Sequence, residues 1–531
     1  MIFGDERLTF TALLQRARGL ARALLAAGVG KGTKVALLLG NRPEFVVATF
    51  GIALAGGVVV PISTLAEAEE RYHILNHSDA ALLIVQDRLS SHAYVEALAA
   101  DHPGVVKARP GCITDATFPF LRRIIAIGVD APEPSAIQPW DEFLSAGAVI
   151  GDELVDATAA EVYPSDDAMI VYTSGTTALP KAVLHTHQSV TVQLWRWAQE
   201  LELTTEDRVW SVFPLFWTAG FAFVLGGALA SGAALIMQET FDAGAALAAF
   251  EREKVTTVHS FDHTDALLAA HPDAGRRDLS SLRNLRQNSA LRAVSNAPPS
   301  AWDVRAGYGL SETFTLATAL PRHAPLELRQ ASHGLPLPGM RVRIVQADGV
   351  SAVPPGSIGE ITVKGISMMR GYYKSVPEDC FDGDGWFHTR DAGYLDPDGF
   401  LHWTGRMSGL IKTAGANVSP VEVENKVADL GLLGTVAVVG VPHPTLGEAV
   451  VLCGVPREGV DPSPADVITS LRGSLASYKV PRRVLLFSHG DFVRTDNEKV
   501  RLAEIRRLAA ARIVASDEDQ QWIAFLRGPT R

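Results

Sequence analysis

Cysteine is scarce and scattered in this chain. The three present, Cys112, Cys380 and Cys453, are odd in number, and none stands with a histidine at metal-ligand spacing, so neither a disulfide framework nor a zinc site is expected. That usage fits a reducing cytoplasm. Basic charge is short as well: 48 Lys and Arg against 59 Asp and Glu leave a formal charge of −11, which argues against a general nucleic-acid binder. Long uninterrupted apolar runs are missing. The longest apolar stretch, Val46 to Ile62, is broken by Gly51, Gly56, Gly57 and Pro61 and reads as a buried helix running into a strand rather than a membrane span. Met1 to Arg7 holds no apolar signal core, and repeats and low-complexity tracts are absent. What is present is the composition of a well-packed globular protein, 47% hydrophobic and 20% charged. The length prior suggests roughly three to four structural units.

Strand and helix signals alternate. Leu8 to Ala27 has helical apolar spacing and stops at Gly28 and Gly30; Lys34–Leu39 is a strand, Pro43–Leu54 a helix and Val58–Pro61 a strand. A helix at Ala66–Asn76 and a strand at Ala81–Val85 repeat the pattern, which predicts a parallel sheet covered on both faces. Asp101 to Pro164 reads as surface connections around one strand, Ile124–Ile127. A second alternating half follows: helix His187–Leu201, strand Arg208–Phe213, helix Phe221–Ala230, strand Ala233–Met237, helix Ala243–Glu253 and strand Thr256–Ser260. Past Gly334, short strands at Val342–Val345, Gly359–Val363 and Phe400–Trp403 separated by turn residues form a β-rich piece. A boundary at Gly405–Gly409 leads into an α+β unit, with helices at Pro420–Leu430, Ala465–Leu475 and Leu502–Ile513 and strands at Val436–Val441 and Val450–Val455.

The most informative stretch is Val171-Tyr172-Thr173-Ser174-Gly175-Thr176-Thr177-Ala178-Leu179-Pro180-Lys181. An apolar strand empties into a loop of hydroxyls and a glycine that ends in Pro-Lys. Such a loop supplies many donors, a cation and little bulk, which is what a polyphosphate needs. It lacks the Gly-x4-Gly-Lys-Ser/Thr spacing of a Walker loop. Four further runs carry chemistry. In Gly307-Tyr308-Gly309-Leu310-Ser311-Glu312, Tyr308 suits stacking on a base, Ser311 a phosphate oxygen and Glu312 a hard cation such as Mg²⁺; alone, the run also reads as a plain turn. Asp391, after Trp386-Phe387-His388-Thr389-Arg390, suits either a turn or a pair of ribose hydroxyls. Gly405-Arg406 and the Ile411–Val418 loop put a cation and a glycine at a hinge, and Lys499 lies in a polar loop where a surface lysine is the plain alternative.

In this order and spacing these runs resemble the adenylate-forming superfamily of acyl-CoA synthetases, nonribosomal-peptide adenylation domains and firefly-type luciferases. The likeness spans about Leu8 to Arg507 and is greatest to the carboxylate–CoA ligases. The resemblance implies an α/β fold with a large N-terminal domain over 1–405, built of two alternating β/α subdomains and a small β-rich one. A hinge at 406–410 and a small mobile α+β C-terminal domain at 411–531 would follow. It implies that ATP and a carboxylic acid give an acyl-adenylate and pyrophosphate, after which the CoA thiol attacks. Thr173, Ser174, Gly175, Thr176, Thr177 and Lys181 would cradle the β- and γ-phosphates. Tyr308, beside Gly309, would stack on adenine, Ser311 would touch the α-phosphate and Glu312 would hold Mg²⁺. Asp391 would hold the ribose with Arg406 beside it, and Lys499 would bridge carboxylate and α-phosphate. Glu312, Thr177, Lys181 and Lys499 are the implied catalytic set. Ser408 stands at the hinge, and Lys412 and Gly415 stand in the loop that would admit the pantetheine arm of CoA.

Departures from the family pattern locate the selectivity. Thr389-Arg390-Asp391 replaces Thr-Gly-Asp, Glu498-Lys499 replaces Gly-Lys, and Ser408 stands where Asp or Lys is usual. The acid pocket is expected around Phe213, Trp217 and Phe221, with His259, Asp262 and His263 near its floor and Ser289 in place of a family glycine. Large aromatics suggest a flat or modest-sized acid such as a small aryl acid, with simple core packing as the alternative, and the polar turn suggests an amino or hydroxyl substituent, with a locally satisfied turn as the alternative. Delivery to a carrier-protein thiol or an amine, activation of another oxyanion such as nitrite, and a non-catalytic nucleotide-binding relative are the competing readings. No nucleic-acid partner and no membrane span are expected; oligomeric state is not readable.

Overall fold

The computed structural model describes residues 1–129, 135–173, 180–286, 289–295, 307–321, 324–346, 349, 351–376, 378, 380–409, 411–413, 416–418, 420–472, 474–475, 479–492, 501–516, 522 and 526. The chain divides into two compact units, one of residues 1–342 and 363–387, the other of residues 343–362 and 388–531.

In the first unit, Val-, Ile- and Leu-rich strands buried along their whole length assemble an eight-stranded sheet. Its order is Gly371–Tyr372, Lys181–Thr186, Asp167–Thr173, Val58–Pro61, Lys34–Leu38, Leu82–Gln86, Arg123–Ile127 and Ile137–Pro139. From Asp167–Thr173 onward neighbouring strands are parallel, whereas Lys181–Thr186 and Gly371–Tyr372 extend the edge antiparallel. The Pro43–Leu54 helix is apolar nearly all round and accordingly buried, with Pro43 pre-setting its first turn. Helix Phe10–Ala26, capped by Thr9, lies so close to it that a Cβ on Gly51 would stand 2.9 Å from Leu20.

The second half builds a five-stranded sheet in the order Thr257–His259, Arg208–Ser211, Ala234–Met237, Ile2–Phe3 and Glu6–Arg7. The N-terminal strand therefore joins the second sheet, with Ile2 beside Ile236 and Phe3 beside Met237. Glu253 ties the arrangement together. Its buried carboxylate accepts from both Arg7 amines at 2.8 and 3.0 Å, from Arg208 at 3.0 Å and from Arg252 at 2.9 Å. These cations, Arg7 foremost, hold its pKa down to about 2.

Several expectations need correction. The stretch from Asp101 to Pro164 is not merely connective: it holds helices Pro103–Val106, Trp140–Ala146 and Asp152–Ala160 and the strand Ile137–Pro139. Trp140–Ala146 buries only Phe143 and Asp152–Ala160 only Val155, so neither carries an apolar stripe to read. Lys181–Thr186 is a strand that was not expected, and Gly220–Gly226 is a π-helical turn before the α-helix Gly227–Ser231. The turn at His259–His263 opens directly into a helix, Asp262–Ala270.

A four-stranded sheet follows in the order Met340–Val345, Gly359–Gly365, Phe387–Leu395 and Leu401–Arg406. A further sheet centres on the long antiparallel pair Leu433–His443 and Gly447–Pro456, with Arg483–Leu486 parallel to the latter. Period-two alternation sorts its residues. Val438, Val450 and Leu452 pack with Val423, Val427, Val467 and Leu471 from helices Pro420–Asp429 and Pro464–Arg472. Ala437, Val439, Val451 and Cys453 pack with Ile505, Ala509 and Ile513 from helix Leu502–Ala515. The three cysteines are free thiols, and burial pushes that of Cys453 up to about 12. Among the described residues no helix is long and apolar enough to cross a membrane, and no group of His, Cys, Asp and Glu could hold a metal by itself.

Because the Glu253 pKa is depressed on folding, its contribution is present above the ordinary carboxylate range and is lost as pH falls toward 2. Glu253→Gln should lower stability at pH 7 and flatten acid denaturation between pH ~4.5 and ~2. Denaturant midpoints across that range check it; an unchanged pH slope would contradict the anchoring role.

Candidate active site

The hydroxyl loop closes a hairpin. Thr173 and Lys181 are the last paired residues of Asp167–Thr173 and Lys181–Thr186, so both ends of the loop leave from one strand end. Ser174, Gly175, Thr176 and Thr177 lie outside the described residues. Lys181 is exposed, and its Nζ stands 5.0 Å over the ring of Tyr372. Tyr372 sits on the adjoining strand opposite Val183, and its hydroxyl donates to Glu312 Oε1 at 2.7 Å. The main chain repeats the link, since the Met369 N–H donates to the Glu312 carbonyl at 2.7 Å. Lys181 and Glu312, both expected site residues, are thus brought to the ring and the hydroxyl of one tyrosine that sequence reasoning missed. The adjacent Gly-Tyr-Tyr-Lys at 371–374, an aromatic pair between a glycine and a lysine, was the available signal.

Glu312 and Ser311 ride on a tight turn, Ser311–Thr313, which follows the strand Gly307–Leu310. His185 holds that turn from below. Its Nε2 lies 2.7 Å from the Ser311 carbonyl, which requires the Nε2–H tautomer, and complete burial lowers its pKa to about 4. A neutral imidazole therefore acts as a fixed donor. A Cβ on Gly309 would overlap the Thr315 carbonyl, so the Gly-Tyr-Gly spelling follows from the strand crossing. Phe314 and Thr315 pay for the sharp reversal with positive φ of 49° and 108°. Tyr308 is buried in this strand, its N–H donating to Thr318 Oγ1 at 3.2 Å.

The expected acid-pocket residues form two groups. Asn41 clasps the first by donating to the Phe213 carbonyl at 3.0 Å and accepting from the Leu215 N–H at 2.8 Å, a role sequence reasoning missed. Phe213 packs on Phe261 with centroids 4.8 Å apart and on His259 at 6.2 Å, Trp217 meets Phe261 edge-on, and His263 stacks on Phe261. Phe221 instead meets Phe314 at 5.9 Å, beside the Glu312 turn. The polar residues are locally engaged. Asp262 pairs with Arg286 at 2.6 Å, and Arg286 also pairs with the buried Asp265 at 2.8 Å, which accepts from Ser260. The Ser289 N–H donates to the Arg286 carbonyl at 3.1 Å. His259 is fully buried, and desolvation, with Arg286 adding to it, lowers its pKa to about 3, so it is neutral. The satisfied-turn alternative accordingly accounts for Asp262, while His263 remains exposed.

In the second unit Asp391 and Arg406 are direct cross-strand partners, with Nε 3.0 Å from Oδ1. Asp391 is buried and Arg406 exposed; the Asp391 N–H donates to Thr389 Oγ1 at 3.1 Å. Arg390 occupies the position where the family carries glycine, and the backbone shows why: its φ is +59°. A hydrogen bond from its N–H to Glu360 at 2.9 Å holds the strained turn, and its side chain is exposed. Ser408 lies in a short turn, Met407–Gly409, and Lys412 in the strand Ile411–Thr413. Their side chains, with Gly415 and Lys499, lie outside the described residues.

The donor set suits Mg²⁺. That ion keeps several waters and is held by one or two carboxylates plus substrate phosphates, and the Glu312 carboxylate, with one oxygen bound by Tyr372 at 2.7 Å and acceptor capacity left over, fits this need without a dedicated cage.

The hairpin and the carboxylate turn lie in the first unit and the Asp391–Arg406 pair in the second, in a chain of mixed α/β fold. A family model described as AMP-binding enzyme matches residues 1–373, and one described as AMP-binding enzyme C-terminal domain matches residues 422–499. The chain belongs to the AMP-binding enzyme family, and as a member it is an ATP-dependent ligase of the acyl-CoA synthetase kind, for which Mg²⁺ and CoA are the usual partners. It is 32% identical over 510 residues to a feruloyl-CoA synthase of Amycolatopsis sp, covering 95% of this chain and 94% of the relative. To the indoleacetate–CoA ligase of Aromatoleum aromaticum it is 30% identical, covering 96% and 94%. The structure of the anthranilate CoA ligase AuaEII in complex with anthranoyl-AMP superposes with a TM-score of 0.76 at 25% identity, over 96% of this chain and 94% of that one. The family's large N-terminal and small C-terminal domain architecture is thereby shared.

Arg390 pays for a left-handed backbone that glycine adopts freely, at a cost of about 1–2 kcal/mol. Arg390→Gly should therefore raise the stability of the second unit by about 1 kcal/mol. A denaturant midpoint that does not rise would contradict the strain, because the bond from the residue-390 N–H to Glu360 is kept in both proteins.

Proposed function

We propose that this ligase activates a small aryl or polar-substituted carboxylic acid as its acyl-adenylate, releasing pyrophosphate, and passes the acyl group to the CoA thiol in the cytoplasm. The observation that carries the reading is the line from Lys181 over Tyr372 to Glu312 at the foot of the Thr173–Lys181 hairpin. A carboxylate attacking an anionic α-phosphate meets like-charge repulsion, so fixed cations facing the developing charge are the main lever. Glu312 would hold Mg²⁺, which would supply charge neutralisation there. Lys181 with Thr173, Ser174, Gly175, Thr176 and Thr177 holds the departing pyrophosphate. Tyr308, beside Gly309, stacks on adenine, and Ser311 meets the α-phosphate. The Asp391 carboxylate, steadied by Arg406 and by the Asp391 N–H bond to Thr389, accepts both ribose hydroxyls. Lys499 bridges the attacking carboxylate and the α-phosphate. Rotation of residues 411–531 about the hinge at 406–410, centred on Ser408, then withdraws Lys499 and brings in the Lys412–Gly415 loop for the pantetheine arm.

An aryl acid is favoured by the ring cluster of Phe213, Trp217 and Phe261, with Phe221 beside the carboxylate turn. The relatives named for feruloyl, indoleacetate and anthranilate substrates support it. Arg286 holds the exposed Asp262 beside those rings, and His263 stacks there, which keeps an amino or hydroxyl substituent in view as a partner.

AMP and pyrophosphate release over a panel of aryl acids, with and without CoA, tests the reading. Thioester should form with at least one acid only when CoA is present; AMP without thioester moves the acceptor to a carrier thiol or an amine, and no AMP with any acid counts against the enzyme reading. Lys499→Ala should slow adenylation about 10²–10³-fold while leaving thioester formation from a supplied adenylate within a few-fold. Equal losses in the two half-reactions would contradict the role given to Lys499.

A further inference from the structure

We propose that Tyr372 is a positioning residue for the nucleotide: it fixes the Glu312 carboxylate through its hydroxyl and the Lys181 ammonium through its ring, and keeps these opposite charges from pairing with each other. The inference rests on the adenylating function proposed above. Lys181 and Glu312 come from distant parts of the chain and converge on this one side chain, the first over the ring at 5.0 Å, the second on the hydroxyl at 2.7 Å.

The backbone beneath Tyr372 is clamped on both sides. Before it, the Met369 N–H bonds to the Glu312 carbonyl at 2.7 Å, the Arg370 N–H to the Leu184 carbonyl at 2.8 Å and the Arg370 guanidinium to Asp167 at 2.6 Å. After it, the Tyr373 N–H bonds to the Ala182 carbonyl at 2.8 Å, and both the Tyr373 hydroxyl and Lys374 bond to Asp79, at 2.9 and 2.7 Å. A ring mounted on so constrained a strand has little freedom to follow its neighbours; they follow it.

Each half of the side chain does separate work. A carboxylate offers about four lone-pair sites. The Tyr372 hydroxyl takes one on Oε1, fixes the rotamer, and leaves acceptor capacity for a divalent cation. A phenol is neutral and adds no charge that would compete with that cation. The ring face attracts an ammonium, so Lys181 is held without losing its charge to a carboxylate. A direct Lys181–Glu312 ion pair would consume both groups before nucleotide arrived.

Tyr372→Phe removes only the hydroxyl and Tyr372→Leu removes the ring face as well, so the two halves separate. ATP binding by calorimetry, without acid and over a series of Mg²⁺ concentrations, is the readout, with thermal midpoints recorded for each protein. The Phe variant should need about tenfold more Mg²⁺ for half-maximal ATP binding, as expected for one lost hydrogen bond to a charged group, while its ATP affinity at saturating Mg²⁺ stays within about twofold of the parent. The Leu variant should also lose about tenfold in ATP affinity at saturating Mg²⁺, beyond the lost ring attraction, because Lys181 and Glu312 can then pair. An unchanged Mg²⁺ requirement in a Phe variant of parental stability overturns the proposal. So does a loss of ATP affinity that tracks the thermal midpoint and ignores Mg²⁺. A parent protein that binds no ATP with Mg²⁺ overturns the adenylating function itself, which distinguishes the two failures.

Discussion

The antiparallel pairing of Thr173 with Lys181 is the constraint on which the site in the first unit depends. Parallel strands return only through a crossover, which separates the two ends of a connection. A hairpin added at the edge of a parallel sheet instead returns the chain immediately, so the hydroxyls and the lysine start from the same strand end. Asp167–Thr173 runs parallel to Val58–Pro61, which places Thr173 at the carboxyl edge of the parallel strands, the edge where open α/β sheets present ligands. The next strand outward, Gly371–Tyr372, carries that edge to Tyr372 and through it to Glu312.

Around the Ser311–Thr313 turn, rigidity comes from neutral groups and tight backbone, while the adjoining Gly371–Tyr372 strand is flanked by the Arg370–Asp167 and Lys374–Asp79 ion pairs. His185 is buried and uncharged, and its single tautomer holds the Ser311 carbonyl. The reversal after Thr313 tolerates two non-glycine residues at positive φ because Gly309 allows the strands to cross closely and Thr313 Oγ1 donates to the Thr315 carbonyl at 2.7 Å. The second unit shows the contrasting choice at Asp391, whose buried carboxylate is steadied by an exposed arginine across the strand pair. Beside it, the glycine-type backbone is occupied by Arg390, adding a solvent-facing cation at the cost of strain.

The chain's own character lies at the acid pocket. The clasp of Asn41 on the Phe213–Leu215 turn and the Asp262–Arg286–Asp265 arrangement shape the neighbourhood of the aromatic rings. Arg286 braces Asp262 and the buried Asp265 together.

The sequence alone determined whatever depends on residues close together along the chain. Apolar runs bounded by turns marked the parallel strands, a proline followed by uniform apolarity marked the Pro43–Leu54 helix, and hydroxyl, glycine and lysine in one run marked the phosphate loop. Asp391 and Arg406 were likewise visible from their motifs, although their pairing was not. Tertiary structure alone decided the rest. Ile2–Phe3 is too short to carry a period and finds its place only beside Ile236–Met237; Trp140–Ala146 and Asp152–Ala160 bury single residues and leave no stripe. Tyr372 matters because strand pairing sets it against Val183 within reach of Glu312, and Asp262 is satisfied because a distant loop delivers Arg286. Periodicity and turn chemistry act over a few residues and are written in order along the chain; the partners of a polar side chain depend on which remote surfaces bury one another, and that is set only when the sheets and helices pack.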